Sequence, residues 1–183
     1  IPVYLEATKE FDIIHKKKIA IRASIMAFLI LLFFIVIGQV ILDGMEVSLD
    51  AFQISGGVIL FLFALTMIFG EGKPEQEKNR ITDYKHVTIF PIAIPSLASP
   101  GAIMAVVLMT NNQIYSIKEQ AITTFVVLIV IGITCLILLT ANYLQKLIGS
   151  YGITVLSKIM GLILASYAVQ SILSGISNYF INA

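Results

Sequence analysis

Phe90-Pro-Ile-Ala-Ile-Pro-Ser-Leu-Ala-Ser-Pro-Gly-Ala-Ile103 is apolar enough to enter a bilayer, yet it carries Pro91, Pro95, Pro100 and Gly101. Proline removes a backbone donor and clashes with the carbonyl four residues back, so this run cannot continue as one straight helix. Non-helical backbone facing lipid leaves polar groups unsatisfied and survives only inside protein or beside water. Proline is tolerated in a first helical turn, so a half-helix is expected to restart near Pro100. Its N-terminal N–H groups would point into the break, a setting that suits a carboxylate. Ser96, Ser99 and the freed peptide groups around Pro100-Gly101 would then satisfy one another or a ligand. The competing reading is a proline-kinked helix with no ligand, and the residues alone leave the two even.

The rest of the chain agrees that the surrounding medium is lipid. Of its 183 residues, 58% are hydrophobic and 13% charged, and the mean hydropathy is +0.95. An ordinary soluble domain is about a quarter charged. Too little polar surface remains to wet a globule, so the chain reads as an all-α integral membrane protein. A net charge of +1 provides no field for nucleic acid. A single cysteine, Cys135, excludes an internal disulfide and a cysteine-cluster metal site. His15 and His86 lie in charged stretches and are expected as exposed loop residues. The opening Ile1-Pro-Val-Tyr-Leu has no initiator Met and no charged region ahead of it, so it is not expected to be a signal peptide. It is expected to be the back half of an apolar segment whose front half is missing.

A spanning helix needs about 20 mostly apolar residues. Ile19–Leu42, Ile54–Phe69 with its flanks, Ala121–Leu144 and Ile153–Leu173 meet that length; Val87–Thr110 is a fifth, broken run, and Ile1–Thr8 a remnant of a sixth. Polar breaks at Lys9–Lys18, Asp43–Asp50, Glu71–His86, Asn111–Gln120 and Gln145–Gly152 separate them, Glu71–His86 being the expected midpoint linker. Eleven of the twelve Lys and Arg fall in or beside the first, third and fifth breaks, and only Lys118 in the others. The positive-inside rule puts those three breaks in the cytoplasm and both termini outside, in a plasma membrane (cell inner membrane) setting.

Two stretches match at an offset of 101 to 104 residues. Thr8 pairs with Thr110, Ala20-Ile21 with Ala121-Ile122, and Gly57, Ile59, Leu60, Ala64 and Ile68 with Gly161, Ile163, Leu164, Ala168 and Ile172. Three spans per copy is an odd number, so the second copy enters the membrane from the opposite side. The expected architecture is two inverted three-helix repeats, 1–86 with the cytoplasmic linker and 87–183, each with an interrupted first helix. Secondary transporters use this plan, with the site near the midplane at broken helices.

Pro91-Ile-Ala-Ile-Pro95-Ser-Leu-Ala-Ser-Pro100-Gly101-Ala-Ile103 resembles the signature of MarC-type membrane proteins, the six-helix neutral amino-acid transporter family. Ile1–Thr8, Val47–Gly57 and Met160–Ala165 through Val169–Gly175 resemble it too, so the likeness covers nearly the whole chain. Ser99-Pro100-Gly101 stands where the family usually has Gly-Pro-Gly, a small-for-small departure. An Asn-Pro-x-Gly-Asn element of the family would precede Ile1, and Glu6 is unusual for its place. The resemblance implies transport of small neutral amino acids such as glycine and alanine. The family's older association with antibiotic resistance implies drug or metabolite export as an alternative.

No Asp, Glu, Lys or Arg lies at the centre of a complete span, and Arg22, one turn in, can snorkel to the interface. Thr66 and Gln170 occupy equivalent places in the two repeats. Either they face each other across a pseudo-twofold axis as part of a site, or they make inter-helix hydrogen bonds. Gln39 and Thr140 form a second such pair, read as packing, as are Gly56, Gly57, Gly161 and Cys135. Asn111, Asn112 and Gln113 are expected as an exposed loop. The candidate substrate-binding residues are therefore Pro95, Ser96, Ser99, Pro100, Gly101, Thr66 and Gln170. No catalytic set and no metal ligands converge, so no enzyme and no resident cofactor are expected; a sodium ion or a proton would serve for coupling. The leading reading is a secondary carrier of small neutral amino acids, with an ion or small-solute channel as its alternative. Its partners are an amino-acid substrate and the lipid bilayer, with no nucleic acid; a homo-oligomer is compatible with the sequence.

Overall fold

The computed structural model describes residues 2–8, 10–69, 84–112 and 114–181, and among these it contains helices and no strand. The elements are α1 (Pro2–Ala7), α2 (Ile13–Gly44), α3 (Leu49–Phe69), α4 (Tyr84–Val87), a π-helical segment (Thr88–Leu97), α5 (Pro100–Met109), α6 (Ile117–Leu139) and α7 (Ala141–Ile181). Four stretches are long and apolar enough to cross a membrane: α2, α3, α6 and Tyr151–Ile181 of α7. The expected midpoint linker lies largely outside the described residues.

Helix ends explain where the boundaries depart from the apolar runs. Asp12 caps α2 by accepting the His15 backbone N–H at 3.0 Å, so the helix begins at Ile13 and not near Ile19. Lys16–Lys18, expected in a polar break, ride on its first turns. His15 is likewise a first-turn residue and not a loop residue, and its ring also bonds the Asp12 carboxylate. That backbone N–H, and then the His15 ring, hold the Asp12 carboxyl below its ordinary value. At the start of α6, the Glu119 carboxylate accepts the Ser116 N–H and the Ser116 hydroxyl, both at 2.8 Å. The break expected over Gln145–Gly152 contracts to one residue, Gly149, whose φ of 75° interrupts α7. Glycine adopts that left-handed conformation without steric cost.

The longest helix contact joins α3 to α7. A Cβ on Gly57 would lie 2.7 Å from Ile172 Cγ1 and 3.1 Å from the Ala168 carbonyl oxygen. One on Gly161 would lie 2.9 Å from Ile68 Cγ1 and 3.1 Å from the Ala64 carbonyl oxygen. The two helices therefore run antiparallel, with glycine on each letting the other's backbone approach. One core cluster joins Tyr4 and Leu5 of α1, Ile19, Ala20 and Ala23 of α2, Ile92 and Ala93 of the π segment, and Leu138 at the end of α6. A second joins Ala27 and Leu31 of α2 to Ala98, Val106 and Ile131. Outward faces stay apolar: Phe33, Leu62, Leu128 and Leu162 are all exposed. Apolar surface on that scale is covered by lipid in an integral membrane protein.

Candidate functional site

The proline run builds its break from three pieces in sequence. From Thr88 to Leu97 the backbone is π-helical, and the Ala98 N–H closes a wide turn onto the Ala93 carbonyl at 2.8 Å. Such wide turns are rare insertions within helices and recur at functional sites. The Ile94–Pro95 peptide bond is cis. Ala98 and Ser99 then leave the helical region, with Ser99 extended at φ −72° and ψ 156°. Its Oγ accepts the Ala102 N–H at 3.1 Å and Pro100 takes the first helical position, so α5 starts where a half-helix was expected. Proline fits there because that turn's N–H has no partner to lose.

Pro95, Ser96, Ser99 and Pro100 are all partly buried around this break. Gly101 is fully buried in the first turn of α5, and a Cβ on it would lie 2.7 Å from Leu60 Cδ1 and 2.9 Å from Cδ2. Its smallness lets α5 seat on α3. Leu60 occupies the side of Gly101 on which a Cβ would stand.

Thr66 and Gln170 are not brought together. Thr66 is exposed on α3 and donates to the Phe63 carbonyl at 2.7 Å. Gln170 is exposed on α7 and donates to Ser174 Oγ at 3.3 Å. Because Ala64 lies against Gly161 and Gly57 against Ala168, the two residues are about eleven positions out of level, roughly 16 Å of helix rise. Of the second polar pair, Gln39 accepts the Asn112 backbone N–H at 2.6 Å, while Thr140 donates to the Leu136 carbonyl of its own helix at 3.0 Å. Asn111, expected in an exposed loop, is 1% exposed, and its carbonyl accepts the Ile114 and Tyr115 N–H groups. Asn112 is exposed as expected, and Gln113 lies outside the described residues.

One residue went unnoticed in the sequence. Ser24 of α2 is 4% exposed, and its Oγ is the one buried side-chain polar atom with no partner among the described residues. On α2 it lies between Ala20 and Ala23, which share a core cluster with Ile92 and Ala93, and Ala27, which shares one with Ala98. Ser24 therefore lies on the stretch of α2 whose buried residues share the core with the π segment and Ala98. The signal was present: Ala20, Ala23, Ser24, Ala27 and Leu31 form one helical stripe, and Ser24 is its only hydroxyl. An unsatisfied buried hydroxyl costs about 1–3 kcal/mol, so its presence calls for an explanation. With small residues on this stretch of α2 and the first turn of α5 in the adjoining cluster, the site offers a hydroxyl and backbone groups.

The family described as MarC family integral membrane protein matches residues 1–180. A UPF0056 membrane protein from Methanocaldococcus jannaschii is 34% identical over 96% of this chain and 87% of its own length. One from Pyrococcus horikoshii is 33% identical over 98% of this chain and 87% of its own. A third, from Buchnera aphidicola, is 31% identical over all of this chain and 90% of its own. No solved structure matches.

Proposed function

This chain belongs to the MarC family of integral membrane proteins, and on that premise we propose that it is a secondary carrier of small neutral amino acids of the glycine and alanine class. The observation that carries the proposal is the Ser24 hydroxyl, which has no partner among the described residues and is buried on the face of α2 that packs against the π segment. A zwitterion needs donors for its carboxylate and acceptors for its ammonium. The first turn of α5 supplies N–H donors aligned with a helix dipole. Ser24 Oγ and carbonyls of the π segment supply acceptors. Alanines on both sides hold the two backbones close, which admits only a small ligand. The absence of a charged residue at the centre of any complete span suits a substrate of no net charge, and hydroxyls with carbonyls favour sodium over a proton for coupling. The role is carriage and not catalysis.

The same proposal includes the inverted repeat and its orientation. Contacts of Gly57 with Ala168 and Ile172 turn into those of Gly161 with Ala64 and Ile68 when each residue is exchanged for its match 104 positions away. Thr8 donates to the Tyr4 carbonyl at 2.7 Å, and its match Thr110 donates to the Val106 carbonyl at 2.6 Å. The caps Asp12 and Ser116 stand 104 positions apart too. These reciprocal contacts support α1–α3 and α5–α7 as inverted copies, with the basic loops in the cytoplasm and both termini outside.

Ser24→Ala separates a ligand role from a packing role. Removing an orphan hydroxyl should leave the ligand-free protein as stable as the parent or more so. Stabilisation of the parent by millimolar alanine or glycine, read as a rise in Tm, should be lost in the variant. An equal rise in both proteins, or none in the parent, overturns the site proposed here.

A further inference from the structure

Away from the proline break, α2, α4 and the start of the π segment line an open groove of about 370 Å³. Arg22 and Lys85 stand on it, and Ile25, Met26, Leu29 and Ile89 make its apolar wall. Arg22, Ile25, Met26 and Leu29 follow one another at helical spacing along a single face of α2. The wall is open to the surroundings: Ile25 is 55% exposed, Leu29 54% and Ile89 46%. Leu29 lies two turns beyond Arg22, roughly 10 Å further into the span. Ahead of Arg22, α2 still carries Lys16–Lys18, so Arg22 sits at the level where hydrocarbon gives way to water.

We infer that this groove holds one anionic phospholipid, its phosphate between Arg22 and Lys85 and an acyl chain along Ile25, Met26, Leu29 and Ile89. Charge at one end and hydrocarbon at the other match the two ends of such a molecule. Two cations select a headgroup of net negative charge over a zwitterionic one. Basic pockets between membrane helices bind anionic headgroups in this way. A lipid there bridges α2, which carries Ser24, to α4 and the start of the π segment. The inference does not depend on what the chain transports.

Native mass spectrometry of the purified chain, titrated with dioleoyl phosphatidylglycerol or dioleoyl phosphatidylcholine, tests it. The parent should retain one phosphatidylglycerol with about tenfold higher affinity than phosphatidylcholine. Arg22→Gln and Lys85→Gln should each weaken phosphatidylglycerol about fivefold and leave phosphatidylcholine unchanged. Lys17→Gln, on α2 but outside the groove, should change neither. Leu29→Trp, which fills the groove with apolar bulk, should weaken both lipids while the chain remains folded. Equal retention of the two lipids by the parent overturns the inference. So does a loss in Lys17→Gln equal to that in Arg22→Gln, which would show diffuse attraction. Displacement of the lipid by millimolar inorganic phosphate would equally overturn it, because the site would then read the phosphate alone.

Discussion

Ser24 and Gly101 are small residues beside the same break, and their environments separate their roles. Gly101 has Leu60 against it, so any added atom meets a fully buried side chain. Overpacking of that kind costs about 1–3 kcal/mol. Gly101→Ala should therefore lower the Tm of the ligand-free protein, and pairing it with Leu60→Ala should lose less than the sum of the single losses. Strict additivity in thermal unfolding would show that Leu60 is not what glycine accommodates. The sequence identified Gly101 as special, because glycine after proline in an apolar run is conspicuous. It gave no means of choosing between substrate and Leu60 as the neighbour, since α3 lies forty residues away along the chain. Ser24 was the reverse case: the stripe that carries it is visible in the sequence, but whether its hydroxyl finds a partner depends on what packs against that face, and only the fold reveals that.

Among the elements, the helix ends and the α3–α7 contact carry the account. Asp12 titrates below its unfolded value, so its cap on α2 is complete above the ordinary carboxylate pKa and is lost as pH falls through the lowered one. The chemical shift of the His15 backbone amide should report a midpoint below about 4. A midpoint at or above that value contradicts the cap. Reciprocal packing makes a second claim. Gly57→Ala and Gly161→Ala press on two matched pairs of atoms, Ile172 with the Ala168 carbonyl and Ile68 with the Ala64 carbonyl, and Gly161→Ala meets Met67 Cβ as well, so both should lose thermal stability to a comparable extent. A large effect at one and none at the other would mean that the two contacts are not equivalent. The apolar runs announced the spans, and Pro100 announced the start of α5. Caps moved the ends: hydrogen bonds at Asp12 extended α2 across three lysines that hydropathy assigned to a loop. Thr66 and Gln170 failed to meet for a geometric reason. On antiparallel helices, matched residues face each other only where the helices cross, which lies near Leu60 and not six positions beyond it.

For the whole molecule, α2 is 32 residues long, about 48 Å, and overshoots a hydrocarbon core of about 30 Å. Both of its ends should therefore be reachable from water. In a background without Cys135, a cysteine at Asp43 should label from outside intact cells, and one at Lys17 only after permeabilisation; the opposite pattern would reverse the orientation proposed from the basic residues. Composition and charge asymmetry made the medium and the number of long spans legible. The wide turn over Thr88–Leu97 was not legible, because proline spacing predicts a break but not how the backbone closes around it. Carriage through that break is the central claim, and counterflow of labelled alanine tests it most directly. Proteoliposomes loaded with unlabelled alanine and diluted into labelled alanine should accumulate label transiently above equilibrium, and the overshoot should vanish with Ser24→Ala. Entry of label without an overshoot would indicate a channel, and entry no faster than in protein-free vesicles would contradict amino-acid carriage altogether.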